Sequence, residues 1–229
     1  QFAAWRFKRR VCLSHQRSLY YEVALSWSNA GEDFRLRPET YPAQNPDTGT
    51  ELLAHQRLVE LVLGHPVGLA EILPRLTSVQ ASHDGRMLVY PLSQDGSRDA
   101  PVERVVAILR HWRNRNQAPV VLGGNPADHL RLERYLKAGR AAGVTGLSVE
   151  MPAGINAFVE HVAQCGALLS ADSAAGHIGG ALAKPTVVLM GPRLYGYCQP
   201  WRKSSLQKAF LFETPDADIA AALPELGSK

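Results

Sequence analysis

The sequence predicts an α/β domain in which a parallel sheet is covered by helices on both faces. Three observations carry that expectation. From Met87 onward, short apolar runs recur without polar alternation, as in strands buried on both sides. The stretches between them carry apolar residues at the 3-4-3 spacing of amphipathic helices. Glycine, proline and Asx signals punctuate the junctions.

Met87 to Tyr90 is the first predicted strand. Pro101 to Asn116 follows as a helix, with Val102, Val105, Val106, Leu109 and Trp112 on one face and proline at its start. Pro119 to Leu122 reads as a strand stopped by Gly123-Gly124, and a helix is expected from about Pro126 to Ala142. Gly146 to Val149, a helix near Ile155 to Gln164, and the strand Ala167 to Ser170 come next. A helix of small residues, Ala175 to Ala183, leads to the strand Thr186 to Met190. Strands alternating with helices in this order make a Rossmann-like unit, assigned to residues 87–229.

Residues 1–86 have a different character. Ser18 to Trp27 is aromatic and apolar, 32–50 is polar and proline-rich, and 51–64 carries apolar residues, Leu63 among them, mostly spaced for one buried helical face, stopped by Gly64 and Pro66. Leu73 to Gln80 is expected to be a short segment before a turn at His83-Asp84-Gly85. This portion is expected to be mainly helical and not a complete domain. The chain opens on Gln1 with no signal-peptide pattern, so an upstream continuation is expected.

The composition excludes several classes. Of the 229 residues, 45% are hydrophobic and 20% charged, which argues against wholesale disorder or a fibrous protein. No apolar run approaches the roughly 20 residues that cross a bilayer. The three cysteines, Cys12, Cys165 and Cys198, are few and widely spaced, which favours a reducing compartment over a disulfide scaffold. No cluster has metal-ligand spacing, so no metal is expected. The net charge of +4 is diffuse, with part of it in Arg6 to Arg10 and more in Arg110, Arg113 and Arg115; it favours anionic partners, while solvated faces and helix C-terminal charges account for the same residues. No nucleic-acid-binding signature accompanies it, so nucleic acid is not expected.

In open parallel sheets, ligands bind beyond the carboxyl ends of the strands. Four loops meet that condition: 91–100, 123–128, 150–154 and 171–176. The last is the most informative. Asp172 or Ser173 can cap the helix, and Ala174, Ala175 and Gly176 let a ligand approach the backbone. Opening amides and the helix dipole favour an anionic diphosphate, and His177 stands one turn in. A plain N-cap with a helix packed through Gly179, Gly180 and Ala181 accounts for the same residues.

The run from Asp172 to Pro192 resembles the signature D-[TS]-G-x-x-H-[LI]-A-A, with its continuation through k-P-t to G-p, of glycosyltransferase family 9, the lipopolysaccharide heptosyltransferases. Asp172, Ser173, His177, Ile178, Lys184, Pro185, Gly191 and Pro192 fall in register; Ala174 stands where the family has glycine, and Gly179-Gly180 where it has Ala-Ala. Tyr90 to Pro101 looks like the family's h-P-G-a-s-x-x-s-K-r-W-p, with Arg98 at the phosphate-binding lysine and Leu92 at a glycine. Leu122 to Asp128 is similar to l-l-g-g-p-a-E, with Asp128 at the acidic residue.

The resemblance implies a GT-B enzyme: a C-terminal Rossmann-like domain that holds a nucleotide-sugar, and an N-terminal domain with the acceptor and a catalytic aspartate. Residues 1–86 would be a remnant or divergent acceptor-side region, with 51–63 similar to its closing helix; the family's early strand-glycine-aspartate segment has no counterpart here. The implied donor-binding residues are Ser93, Arg98, Gly123, Gly124, Asp128, Met151, Asp172, Ser173, Ala174, Gly176 and His177. Arg98 would neutralise the diphosphate, Asp128 would accept from the ribose, and Met151 would lie near the base. Outside the resemblance, a loop arginine in solvent, an Asp offsetting a helix dipole and a core methionine explain the same three residues.

The implied activity is inverting, metal-independent sugar transfer from a nucleoside-diphosphate donor, with an ADP-linked sugar as the expected donor and no further cofactor. The acceptor would be a glycolipid or saccharide, with peripheral association at the cytoplasmic, inner face of the bacterial inner membrane. Asp172 and His177 are the candidates for a general base. Three rivals stay open: a binding-only nucleotide-sugar module, another GT-B enzyme such as a sugar-nucleotide epimerase or UDP-sugar transferase, and an interaction module that binds no nucleotide.

Overall fold

A computed structural model describes residues 56, 59–60, 63–72, 76, 79–94, 96–192 and 207–226. The expectations for Ser18 to Trp27, for 32–50, for the basic run Arg6 to Arg10, and for Cys12 and Cys198 lie outside the described residues, as does most of the 51–64 and 73–80 stretches. Where the 51–64 stretch is described it is helical, and Gly64, at φ 74°, ends it with its N–H on the Glu60 carbonyl at 2.8 Å. Leu63, one of the apolar residues mostly spaced for a buried face, is 53% exposed in that last turn.

Six strands form one sheet: β1 (Met87–Tyr90), β2 (Val120–Gly123), β3 (Leu147–Glu150), β4 (Ala167–Ala171), β5 (Thr186–Met190) and β6 (Gln207–Leu211). Their order is β3-β2-β1-β4-β5-β6, and every pairing is parallel, with Leu88 opposite both Val121 and Leu168. The helices packed around the sheet after β1 are α1 (Val102–Arg113), α2 (His129–Ala141), α3 (Gly154–Gln164), α4 (Ala174–Ala181) and α5 (Asp216–Ala221).

Successive side chains of a strand point to opposite faces, so β1 serves two cores. Met87 and Val89 join Val105, Leu109, Trp112, Leu132 and Ile219 on the side covered by α1, α2 and α5. Leu88 and Tyr90 join Val162, Leu168 and Ala175 beneath α3 and α4. Double-sided burial is why β1, β2, β4 and β5 are continuous apolar runs.

β6 and α5 follow no expectation from the sequence. β6 is an edge strand, with Lys208 exposed and Gln207 buried, donating to the Gly180 carbonyl at 3.2 Å. Trp112 ties the C-terminal segment down: it is fully buried and its indole N–H donates to the Pro224 carbonyl at 3.0 Å.

The sheet runs outward in both directions from the β1–β4 pair. The chain leaves β1 into α1 on one face and leaves β4 into α4 on the other. Between those diverging loops a crevice opens at the carboxyl ends of the strands. At the opposite end, Lys184 is buried and donates to the carbonyls of Ser82 and of Cys165, the latter at 2.8 Å. Burial pushes its amine below the ordinary lysine value.

Candidate functional site

The crevice is a cleft of about 510 Å³, within the range of ligand pockets. Three of the four loops singled out in the sequence line it. Ser93 and Arg98 come from the loop after β1, Gly124 and Asp128 from the loop after β2, and Asp172, Ser173, Ala174 and His177 from the loop after β4 and the start of α4.

A short 3-10 turn, Gly96–Arg98, lifts Arg98 over the rim. Its Nη1 donates to Asp172 Oδ2 at 3.1 Å; the Asp172 side chain is 5% exposed and that of Arg98 39%. Asp172 therefore does not cap α4. Neither does Ser173, which occupies the N-cap position in extended conformation without a side-chain cap bond. Ser170 donates to the Ala171 carbonyl at 2.7 Å, so in the 3.1 Å contact between the two hydroxyls Ser173 is the donor. The capping expected of Asp172 or Ser173 is thus corrected: Asp172 is turned to Arg98, and the Ser173 hydroxyl is turned to the strand serine and accepts from no amide of the helix. The opening turn of α4 meets the cleft with its amides uncovered by a side chain, and its dipole favours an anion there.

Arg131, in the first turn of α2, also lines the cleft. Its Nη1 donates to Asp128 Oδ1 at 2.7 Å, and its Nη2 to Asp99 Oδ1 and Oδ2 at 2.6 and 2.5 Å. The Asp99 hydrogen bond, then its charge and that of Asp128, hold the Arg131 guanidinium above its ordinary value against the opposing effect of burial. At the loop's far end the Tyr135 hydroxyl donates to the Ala100 carbonyl at 2.6 Å, and burial raises its pKa to about 12.

The floor of the cleft is Tyr90, flanked by Phe158 at 5.1 Å in an edge-to-face contact. The Tyr90 hydroxyl lies 3.0 Å from His161 Nδ1, and His161 Nε2 lies 3.0 Å from Glu150 Oε2. Burial pushes the Tyr90 pKa up, helped by the Glu150 charge. Burial also lowers the His161 pKa, although Glu150 opposes the change.

Gly123, Gly176 and Met151 do not line the cleft. A Cβ on Gly123 would lie 2.4 Å from Tyr90 Cζ, so that glycine admits the ring of the cleft floor. A Cβ on Gly176 would lie 2.8 Å from Val188 Cγ2, and one on Gly179 would lie 2.6 Å from Thr186 Oγ1. Both seat α4 against the sheet, and Gly176 faces strands instead of a ligand. Met151 packs against the core under α1 and α2, and with Glu150 it borders a separate depression of about 360 Å³ beside Arg86 and His161. The fourth loop thus stands apart from the other three.

Sequence reasoning overlooked Tyr90, Phe158 and Arg131. A signal for the last was present: Arg131 stands three residues after Asp128 at a helix start, the spacing at which side chains meet.

The chain matches the family model of glycosyltransferase family 9 (heptosyltransferase) over residues 75–217, more than half of its length. No curated protein was found to match it. Among solved structures it is similar to E. coli ADP-heptose lps heptosyltransferase II, at 18% identity and a TM-score of 0.50, over 60% of this chain and 44% of that one. It is also similar to E. coli heptosyltransferase WaaC with ADP, at 16% identity and a TM-score of 0.55, over 87% of this chain and 59% of that one. The chain therefore spans about half the length of these structures. At such identities the likeness establishes the fold, a helix-covered parallel sheet of the heptosyltransferase GT-B type.

Proposed function

The chain belongs to glycosyltransferase family 9, the heptosyltransferase family, and from that premise we propose that its cleft holds the nucleoside-diphosphate-sugar donor of a glycosyl transfer. The observation that carries this reading is the convergence at one crevice of Arg98, the uncapped start of α4, and Asp128 held in a neighbouring loop. A cation and oriented amides suit a diphosphate, and a carboxylate suits ribose hydroxyls. The donor is an ADP-linked sugar, in keeping with the ADP and ADP-heptose named for the two similar structures.

In the proposed reaction an acceptor hydroxyl attacks the anomeric carbon on the face opposite the diphosphate. The new C–O bond forms as the bond to the phosphate oxygen breaks, the hydroxyl proton passes to a base, and the electron pair leaves on the nucleoside diphosphate. Negative charge grows on that leaving group, where Arg98 and the α4 amides stabilise it without reorganising. Asp172, committed to Arg98, serves the donor side, and His177 donates to the diphosphate or sugar. The reaction needs no metal. Residues 87–229 form the donor domain and residues 1–86 belong to the acceptor side, where a glycolipid or saccharide of the lipopolysaccharide type is received at the inner face of the bacterial inner membrane. No helix among the described residues is long and apolar enough to cross a membrane, and association with that surface would be peripheral.

A second reading, a module that binds the donor without turnover, is favoured by one observation. Among the described residues, both carboxylates that line the cleft, Asp128 and Asp172, are held by arginines and neither is poised as a base.

The test is calorimetric titration with ADP, UDP and GDP, followed by release of ADP from ADP-heptose with and without a deacylated lipopolysaccharide acceptor, in EDTA. Preferential ADP binding with acceptor-dependent release supports transfer. Binding without release supports the module, a preference for UDP points to a UDP-sugar enzyme, and a strict divalent requirement overturns the metal-independent mechanism.

A further inference from the structure

Two of the three loops that line the cleft carry residues assigned to the donor and share one arginine. One, after β1, bears Ser93 and Arg98; the other, after β2, bears Asp128. Arg131 is bonded to both. Beyond its bonds to Asp99 and Asp128, its Nη2 donates to the Ser93 carbonyl at 3.1 Å. Asp99 Oδ1 in turn accepts from the Ser93 amide at 2.9 Å, which closes a ring through the loop. Each terminal nitrogen of the guanidinium thus serves a different loop.

Asp128 stands at the N-cap of α2 without a side-chain cap bond, so Arg131 is what orients its carboxylate. The contact takes Oδ1, and a carboxylate accepts through both oxygens. Asp99 and Asp128 reach the same guanidinium, so without it two negative charges would be left beside each other at the rim.

We propose that Arg131 is a positioning residue whose planar fork holds Asp128 on one side and Ser93 and Asp99 on the other in the geometry that receives the nucleotide ribose. The inference rests on the donor-site reading above and adds to it the group that sets ribose recognition. A lysine in its place keeps the charge but cannot span both loops.

The experiment titrates ADP and 2′,3′-dideoxy-ADP into wild type, Arg131→Lys, Arg131→Ala and Asp99→Asn, each first shown to be folded by its thermal melt. Asp99→Asn removes the charge and one of the two acceptor oxygens at the far anchor of the fork and leaves Asp128 in place. All three variants are expected to lose affinity for ADP by about fivefold or more, the share of one net hydrogen bond, and to lose clearly less for dideoxy-ADP, whose remaining loss reports only the Arg98 loop. Arg131→Lys that binds ADP as tightly as wild type would overturn the assignment, because charge alone would then suffice. An equal loss for both nucleotides would also overturn it, because the role would be general to the fold. Wild-type protein that binds neither nucleotide would overturn the donor-site reading and this assignment with it.

Discussion

Arg98 and Asp172 meet across the crevice, one from the loop after β1 and one from the end of β4, with Nη1 and Oδ2 3.1 Å apart. The pair joins the two strands from which the sheet diverges, and places a cation beside the start of α4. Arg98→Ala is expected to weaken ADP binding about tenfold, the size of one charge-assisted contact. Asp172→Asn is expected to weaken it too, with helix content by circular dichroism unchanged, because Asp172 is no cap. Unaltered ADP affinity in both variants would remove the pair from the site.

Gly123→Ala tests the cleft floor. The new Cβ would fall 2.4 Å from Tyr90 Cζ, so the buried ring, flanked by Phe158, must shift toward the cleft and away from its packing. A loss of about 1–3 kcal/mol in urea unfolding is expected, as for overpacked cores. A wild-type midpoint would show that the ring moves freely.

Ala183 closes α4 at φ 55°, a left-handed conformation, with its N–H on the Gly180 carbonyl at 3.1 Å. It is exposed and needs no side chain for packing. Ala183→Gly is expected to stabilise the protein by about 1 kcal/mol, the steric cost removed, read as a higher thermal midpoint. A lower midpoint would mean that the added freedom of the unfolded chain outweighs the relieved strain.

His161 gives the protein an acid sensitivity. Its folded pKa lies below the ordinary 6.5, chiefly through burial. Its contribution to stability is complete above that unfolded value and is lost as the pH falls through the folded one, because the unfolded chain then binds the extra proton. His161→Gln should flatten stability against pH on the acid side of about 6.5. A slope unchanged by the substitution would assign the acid loss to other groups.

How much of this was legible in the sequence follows from where each residue sits. β1, β2, β4 and β5 are buried on both faces and announce themselves as apolar runs; α1 shows its face through Val105, Leu109 and Trp112. β6, at the edge, mixes Gln207 and Lys208 with Ala209 and Phe210, and that pattern names no element. Loops could be chosen from topology alone, since ligand crevices lie where strands diverge. Side-chain partners could not. Asp172 and Asp128 each stand at a helix start, where a cap is the default for an acidic residue, yet arginines hold both, Arg98 from a distant loop and Arg131 from one turn along the same helix start. Glycines were equally ambiguous: Gly176 reads as room for a ligand and turns out to be room for Val188.

The amine of Lys184, sealed under the sheet between the carbonyls of Ser82 and Cys165, makes the molecule its own stopwatch. Reagents that acylate lysines will reach the exposed Lys137 and Lys208 at once, and Lys184 only when the sheet's lower end comes apart. Mass-resolved labelling at that one position would time the opening without any introduced probe.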